Sequence, residues 1–112
     1  MRITKQHTEF AAVDMNLGGW HSPPGYPEDI EQRSLAGSLD ETNRTGNRTR
    51  LLRFRPGAST AAPVVHDYWE EVFVISGDLI VLDANNPANV QSFRQNTYAC
   101  RPRGIRHGPF RS

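Results

Sequence analysis

The sequence has little of what several protein classes require, beginning with cysteine. Cys100 is the only cysteine in the 112 residues, so no disulfide can form within the chain; this agrees with a reducing compartment. No apolar run approaches the length of about 20 residues that a membrane-spanning helix needs. The N-terminal segment MRITKQHTEF lacks the hydrophobic core of a signal peptide. We therefore expect a cytoplasmic protein without a membrane partner.

The sequence also lacks an excess of charge of either sign. Thirteen basic and twelve acidic residues give a formal net charge of +1, and the two signs are interspersed along the chain. Nucleic acids and anionic membrane surfaces are bound through concentrated positive charge, so neither is an expected partner. A chain of 112 residues is large enough for one hydrophobic core and too small for two, which predicts a single domain.

A convincing helical periodicity is absent as well. Short runs of β-branched and aromatic residues alternate with turn signals at intervals of about eight to twelve residues, which is typical of antiparallel sandwiches and barrels. In residues 1–47 this pattern is weak, and only Phe10–Val13 and Asp29–Leu39 are candidate strands. The polar segment Asp40–Asn47 is the clearest loop. The sequence predicts an all-β fold in which an N-terminal arm, residues 1–47, pads a barrel core formed by residues 48–112.

The segment Pro63–Leu82 concentrates the residues that carry chemistry. His66 and Glu70 lie close together in it, and apolar runs flank its Ser-Gly-Asp sequence at Gly77. Such runs around Gly-Asp predict two short strands joined by a tight turn. A helix would also place residues i and i+4 on one face, but the β-branched residues, the proline and the glycine disfavour it. His66 and Glu70 are thus expected at the mouth of a hairpin.

A second histidine follows a rigid turn further along the chain. Pro102 and Gly104 fix the backbone before His107, so the histidine is held by the turn. Two histidines and a carboxylate from separate strands form a ligand set that divalent transition metals accept, with coordination positions left for substrate or water. The sequence therefore predicts a metal site made of His66, Glu70 and His107.

These two segments resemble the two motifs of the cupin superfamily, G(x)5HxH(x)3–4E(x)6G and G(x)5PxG(x)2H(x)3N. The matching residues are Gly57 (displaced by one position), His66, Glu70, Gly77, Pro102, Gly104 and His107. The resemblance covers roughly residues 50–112. It implies a jelly-roll antiparallel β-barrel, and it implies the same three metal ligands.

The chain departs from the cupin motifs at three positions. Val64 stands where the first histidine is expected, Asn96 replaces the opening glycine of the second motif, and Arg111 replaces its final asparagine. A typical cupin offers three histidines and a glutamate, so Val64 implies a lower metal affinity and one more open coordination position. The alternative that Val64 leaves open is a cupin fold that no longer binds metal.

The resemblance implies two kinds of function. The segment HDYWEEVFVISGDL is most similar to small cupin dioxygenases and to the cupin modules of anti-sigma factors. The first similarity implies a metal-dependent dioxygenase acting on a small ketone, diketone or phenolic compound, with Fe(II) favoured over Mn, Ni or Zn. The second implies a non-catalytic cupin that binds metal or a small ligand as a sensor or regulatory module. No catalytic residue beyond the metal ligands is predicted.

The C-terminal end of the sequence leads to an expectation about assembly. Only Gly108–Ser112 follow His107, too few for a strand with its turn, whereas cupins continue with one or two strands. We expect a barrel that lacks its last strands, and a homodimer in which Phe10–Val13 or Ile30–Leu39 pads the open edge. The outer face of Phe73 and Ile75 is the expected interface. The alternative is a native chain that continues beyond Ser112.

Overall fold

The computed structural model describes residues 3–61, 63–83 and 85–112, and the side chains of Val64 and His107 lie outside this description. Over the described residues the chain forms nine strands and no helix, so the all-β prediction is confirmed. The strands are β1 Ile30–Asp40, β2 Thr45–Phe54, β3 Val64–Val65, β4 Glu70–Phe73, β5 Asp78–Leu82, β6 Val90–Arg94, β7 Tyr98–Arg101, β8 Arg106–His107 and β9 Phe110–Arg111. None of the described segments is a helix suited to crossing a membrane.

The strands pair in four small sheets. β1 pairs with β2, β3 with β8, and β4 with β7, while β5 lies between β6 and β9. The last three sheets are antiparallel throughout. The chain divides into two compact units, Met1–Arg53 and Phe54–Ser112. Antiparallel pairing is therefore the organising feature of the fold, and each unit is described below by itself.

The first unit is built on the long pair β1–β2. The predicted strand at Asp29–Leu39 is confirmed as β1, and the predicted loop at Asp40–Asn47 is confirmed only as a short turn, because β2 already begins at Thr45. The Asp40 carboxylate accepts hydrogen bonds from the side-chain amide of Asn43 at 2.7 Å and from its backbone N–H at 3.1 Å. These hydrogen bonds hold the pKa of Asp40 below its ordinary value.

The N-terminal segment lies against the β1–β2 pair without becoming a strand. The Thr4 hydroxyl accepts the backbone N–H groups of Ser38 at 3.0 Å and Asn47 at 3.2 Å, and the Thr4 N–H donates to the Asn47 side chain at 3.0 Å. The predicted strand at Phe10–Val13 is wrong. These residues have no ladder partner and Phe10 is fully exposed, so no apolar face is buried there to fix a strand.

In the second unit the predicted hairpin turn at Gly77 is wrong. Residues 70–82 run in one direction and pair with residues 90–101, so the chain reverses at residues 83–89 instead. Residues 74–77 lie opposite residues 95–97, one residue more on the first side, which is the count of a β-bulge. Gly77 has a φ of +73°, a value that glycine adopts without strain. The glycine therefore serves a bulge and not a reversal.

The C-terminal residues also differ from the prediction. Phe110 and Arg111 form β9 and pair with Val81 and Ile80 of β5, and the Thr60 N–H donates to the Phe110 carbonyl at 2.8 Å. Two residues suffice because hydrogen bonds reach them from both sides. The expectation that nothing after His107 forms a strand is therefore wrong. Among the described residues, the fully buried apolar side chains are Ile30 in the first unit and Ala58 in the second.

Gly37 gives a test of the β1–β2 packing. Its φ is +75°, and a Cβ at this position would clash with the Asn47 carbonyl oxygen. We expect Gly37→Ala to lower the free energy of unfolding by about 2–3 kcal/mol, the range for a strained backbone position. Gly18→Ala is the control, because no atom lies within 4 Å of the added Cβ. Equal urea midpoints for the two variants would contradict the close approach described here.

Candidate functional site

Two of the three predicted metal ligands come together in the second unit. His66 directly follows β3, and Glu70 opens β4. The His66 Nε2 and Glu70 Oε2 atoms lie 3.4 Å apart, and the two side chains are only 13% and 24% exposed. The short link 67–69 folds back enough to place an imidazole nitrogen and a carboxylate oxygen at one half-buried point.

The orientation of His66 is fixed by its surroundings. Its ring stacks on Tyr68 with centroids 4.6 Å apart and an angle of 16° between the planes. Its backbone carbonyl accepts the N–H of Gly104 at 2.9 Å, which ties the turn of the second motif to the first. The imidazole is therefore held in a defined plane, as a metal-binding histidine requires.

Strand alternation separates the two neighbouring carboxylates. Along β4, Glu70 and Val72 are partly buried, whereas Glu71 and Phe73 are exposed. Successive side chains of a strand point to opposite faces, so the prediction that Glu71 faces away from Glu70 is confirmed. Arg101 lies directly opposite Glu70 in the β4–β7 ladder. This places a cation and an anion as cross-strand neighbours on the partly buried face.

The third predicted ligand, His107, is described only in its backbone. It lies in β8 opposite Val64 of β3, and Arg106 lies opposite Val65. The strand that carries His107 thus pairs with the strand that leads directly into His66. The position of the His107 side chain, on which the predicted coordination depends, lies outside the described part of the chain.

The separation of the two described donors allows a test of whether they fit a metal. A charge-assisted N–H···O hydrogen bond is about 2.7–2.9 Å long, shorter than the 3.4 Å found here. Two donors that each bind one ion at about 2.0–2.2 Å are separated by roughly 3.0 Å at a right angle and 3.4 Å at a tetrahedral angle. His66 and Glu70 therefore fit as neighbouring ligands. Among the described side chains no third histidine, cysteine or acidic residue completes such a group.

A polar cavity lies elsewhere in the same unit. It has a volume of about 280 Å³, and Asp83, Asn89 and Arg106 are among its lining residues, whereas His66 and Glu70 are not. The Asp83 carboxylate accepts the Asn85 N–H at 2.9 Å and the Asn89 side-chain amide at 3.2 Å. These hydrogen bonds hold the pKa of Asp83 below its ordinary value. The cavity therefore contains an ionised carboxylate and a guanidinium.

Sequence reasoning missed two features of this region. Tyr68 was expected to be ordinary packing, but it stacks on His66; its position two residues after a candidate ligand was the only available signal. Asp83 was expected only as part of a loop, and its place on the cavity depends on β5 and β6 pairing along their length. That pairing follows from the position of the chain reversal, which the sequence analysis placed elsewhere.

A second cluster of titratable groups lies on the exposed face of the β4–β7 sheet. The Tyr98 hydroxyl donates to Oε1 of Glu71 at 2.5 Å, and Cys100 lies opposite Glu71 in the ladder. The hydrogen bond to Glu71, and then that to Cys100, raise the pKa of Tyr98 above its ordinary value of 10. Removing the hydroxyl proton would leave an anion beside a carboxylate, which explains the direction.

No protein-family model matches the chain, and neither a curated protein nor a solved structure matches it. The similarity to cupins therefore depends on the motif residues themselves and on the local geometry around His66 and Glu70.

The Tyr98 cluster predicts a pH dependence with a defined sign. Because the folded-state pKa is raised, the stabilising hydrogen bond is fully present below about pH 10 and is lost as the pH rises through the folded-state pKa. We expect absorbance titration to show one of the three tyrosines ionising later than the others. Glu71→Gln should bring that ionisation back towards the ordinary range, whereas Glu70→Gln should leave it unchanged. Identical titrations of Glu71→Gln and the parent chain would exclude Glu71 as the cause.

Proposed function

We propose that this protein binds a divalent transition metal through His66, Glu70 and His107. The observation that carries the proposal is the 3.4 Å separation of His66 Nε2 and Glu70 Oε2 in a half-buried setting. A half-buried histidine and carboxylate that were only an ion pair would be expected at the shorter distance of a charge-assisted hydrogen bond. The pairing of β8 with β3 supports the third ligand, because it brings the backbone of His107 close to that of His66.

We propose a cupin-type jelly roll as the architecture that holds this site. The antiparallel pairing of β4 with β7 and of β5 with β6 supports it, as does the pairing of β3 with β8. In such a barrel the ligands come from two segments that are distant in sequence and adjacent in space. The Gly104 N–H bonded to the His66 carbonyl is a contact of this kind.

The activity we propose is that of a non-haem dioxygenase acting on a small ketone, diketone or phenolic compound. When bound, iron(II) supplies the activation of oxygen. The chain's own contribution is positional: Tyr68 and the Gly104 N–H fix His66, and partial burial keeps bulk water from most of the Glu70 carboxylate. Glu70 then supplies a negative charge at the site and does not act as a free general base.

A second candidate function is a metal- or ligand-binding module without turnover. The donor separation of 3.4 Å is at the tetrahedral end of the range of about 3.0–3.4 Å derived above, and tetrahedral coordination is the preference of structural zinc. This observation favours zinc over iron(II) and, with it, a sensor or regulatory role. In either case a small molecule is the proposed partner, since the cavity of about 280 Å³ is near the lower end of ligand-binding volumes of about 300–1,000 Å³.

Metal content tests the ligand assignment directly. We expect protein purified without chelator to contain about one equivalent of metal, and His66→Ala and His107→Ala to lose it, since each removes one of three protein ligands. His21→Ala is the matched control, because His21 belongs to the first unit and its Nε2 lies 3.0 Å from the Gln32 side chain. Elemental analysis of folded samples measures the outcome. Full occupancy in His107→Ala would show that the second motif has been misassigned.

Oxygen uptake separates the two candidate functions. We expect iron-loaded protein to consume oxygen with at least one member of a β-diketone panel, and Glu70→Gln to lose metal and activity together. Retained metal with lost turnover in Glu70→Gln would assign Glu70 as a proton acceptor instead. Stoichiometric iron without oxygen uptake across the panel would leave the non-catalytic module as the function.

A further inference from the structure

One face of the β4–β7 sheet carries large apolar side chains and little charge. Along β4 and β7 the exposed positions are Glu71, Phe73, Tyr98 and Cys100, and Phe73 is the direct cross-strand partner of Tyr98. Trp69 and Ile75 extend the same alternation by one position at each end of β4. We call these six residues the outer face.

The outer face exposes more apolar surface than a lone monomer is expected to leave in water. Trp69, Phe73, Ile75 and Tyr98 are 63%, 56%, 62% and 58% exposed. For side chains of this size the exposed area sums to on the order of 400–500 Å². Contiguous apolar patches of this extent on soluble proteins commonly mark interaction sites.

We infer that the outer face is covered by a second copy of this chain, stacked on it about a two-fold axis. The inference is independent of the proposed metal site. Its first support is area: a standard interface buries about 800 Å² on each partner around an apolar centre, and the outer face supplies such a centre with room for a polar rim. Because a two-fold interface uses the same patch on both copies, no other component is needed.

The second support is the small core of this unit. Among the described residues of Phe54–Ser112, Ala58 is the only fully buried apolar side chain. A domain of this size needs buried apolar area to offset the conformational entropy lost on folding. Stacking two outer faces would bury Phe73, Tyr98 and their neighbours and so provide part of what each copy lacks.

The charge on the outer face does not oppose this arrangement. Glu71 is the only charged residue among the six, and its Oε1 accepts the Tyr98 hydroxyl at 2.5 Å. The carboxylate therefore has a hydrogen-bond donor from its own chain and enters an interface already partnered. Other occupants, such as an unrelated apolar partner, are separated from a second copy by the measurements below.

Sedimentation velocity over a concentration series tests the association. We expect the parent chain to be a dimer at micromolar concentration, and Phe73→Ser or Ile75→Ser to weaken its dissociation constant by about tenfold or more, as loss of an interface anchor does. Val90→Ser is the control, because Val90 is an exposed aliphatic residue in another sheet and should leave the dimer intact. Circular dichroism confirms that each variant is folded. A monomeric parent chain, or a dimer that Phe73→Ser leaves unchanged, would overturn the inference.

Cys100 makes a second test possible without a new label site. It is the only cysteine of the sequence, it is exposed, and it belongs to the outer face. In a two-fold stack the two Cys100 thiols face each other across the interface, so a short bismaleimide should join the copies in high yield. The Ser92→Cys variant in a Cys100→Ser background moves the thiol to exposed β6 and should cross-link poorly. Equal yields for the two proteins would place the interface elsewhere.

Discussion

The antiparallel pairing of residues 70–82 with residues 90–101 is the constraint on which the second unit depends. It fixes the face on which each side chain of β4 lies, because the pleat alternates strictly along a strand. Glu70 is thereby turned towards His66, and Phe73 is set beside Tyr98 on the exposed side. The bulge opposite residues 95–97 lets one segment continue into the next sheet without reversing direction.

Much of this architecture follows from local sequence signals, but the place of the chain reversal does not. Glycine followed by aspartate signals a tight turn, yet the same glycine also suits a bulge, and the two differ only in the partner that the next strand finds. That partner, β6, lies beyond residues 83–89. The two-residue strand at Phe110 was missed for a similar reason, since hydrogen bonds from both Thr60 and β5 hold it. Non-local pairing of this kind is not encoded in a short window.

For the candidate site, spacing was sufficient to identify the pair His66 and Glu70. Four residues separate them in sequence, and the short link between strands brings their side chains within 3.4 Å. The stacking of Tyr68 on His66 was not predictable, because an aromatic residue two positions along a regular strand would share the histidine's face without stacking on its ring. The link departs from strand geometry at residues 67–69, and that departure makes the stack.

Two adjacent glutamates show how strongly register determines chemistry here. Glu70 is partly buried beside an imidazole, whereas Glu71 is exposed and accepts the Tyr98 hydroxyl. A slip of one residue in the β4–β7 ladder would exchange their faces and would turn Phe73 inwards. The large apolar side chains and the two carboxylates would then be mismatched with their surroundings at the same time. The alternation of Glu70, Glu71, Val72 and Phe73 therefore specifies the register, and the same register produces both the candidate metal site and the exposed apolar face.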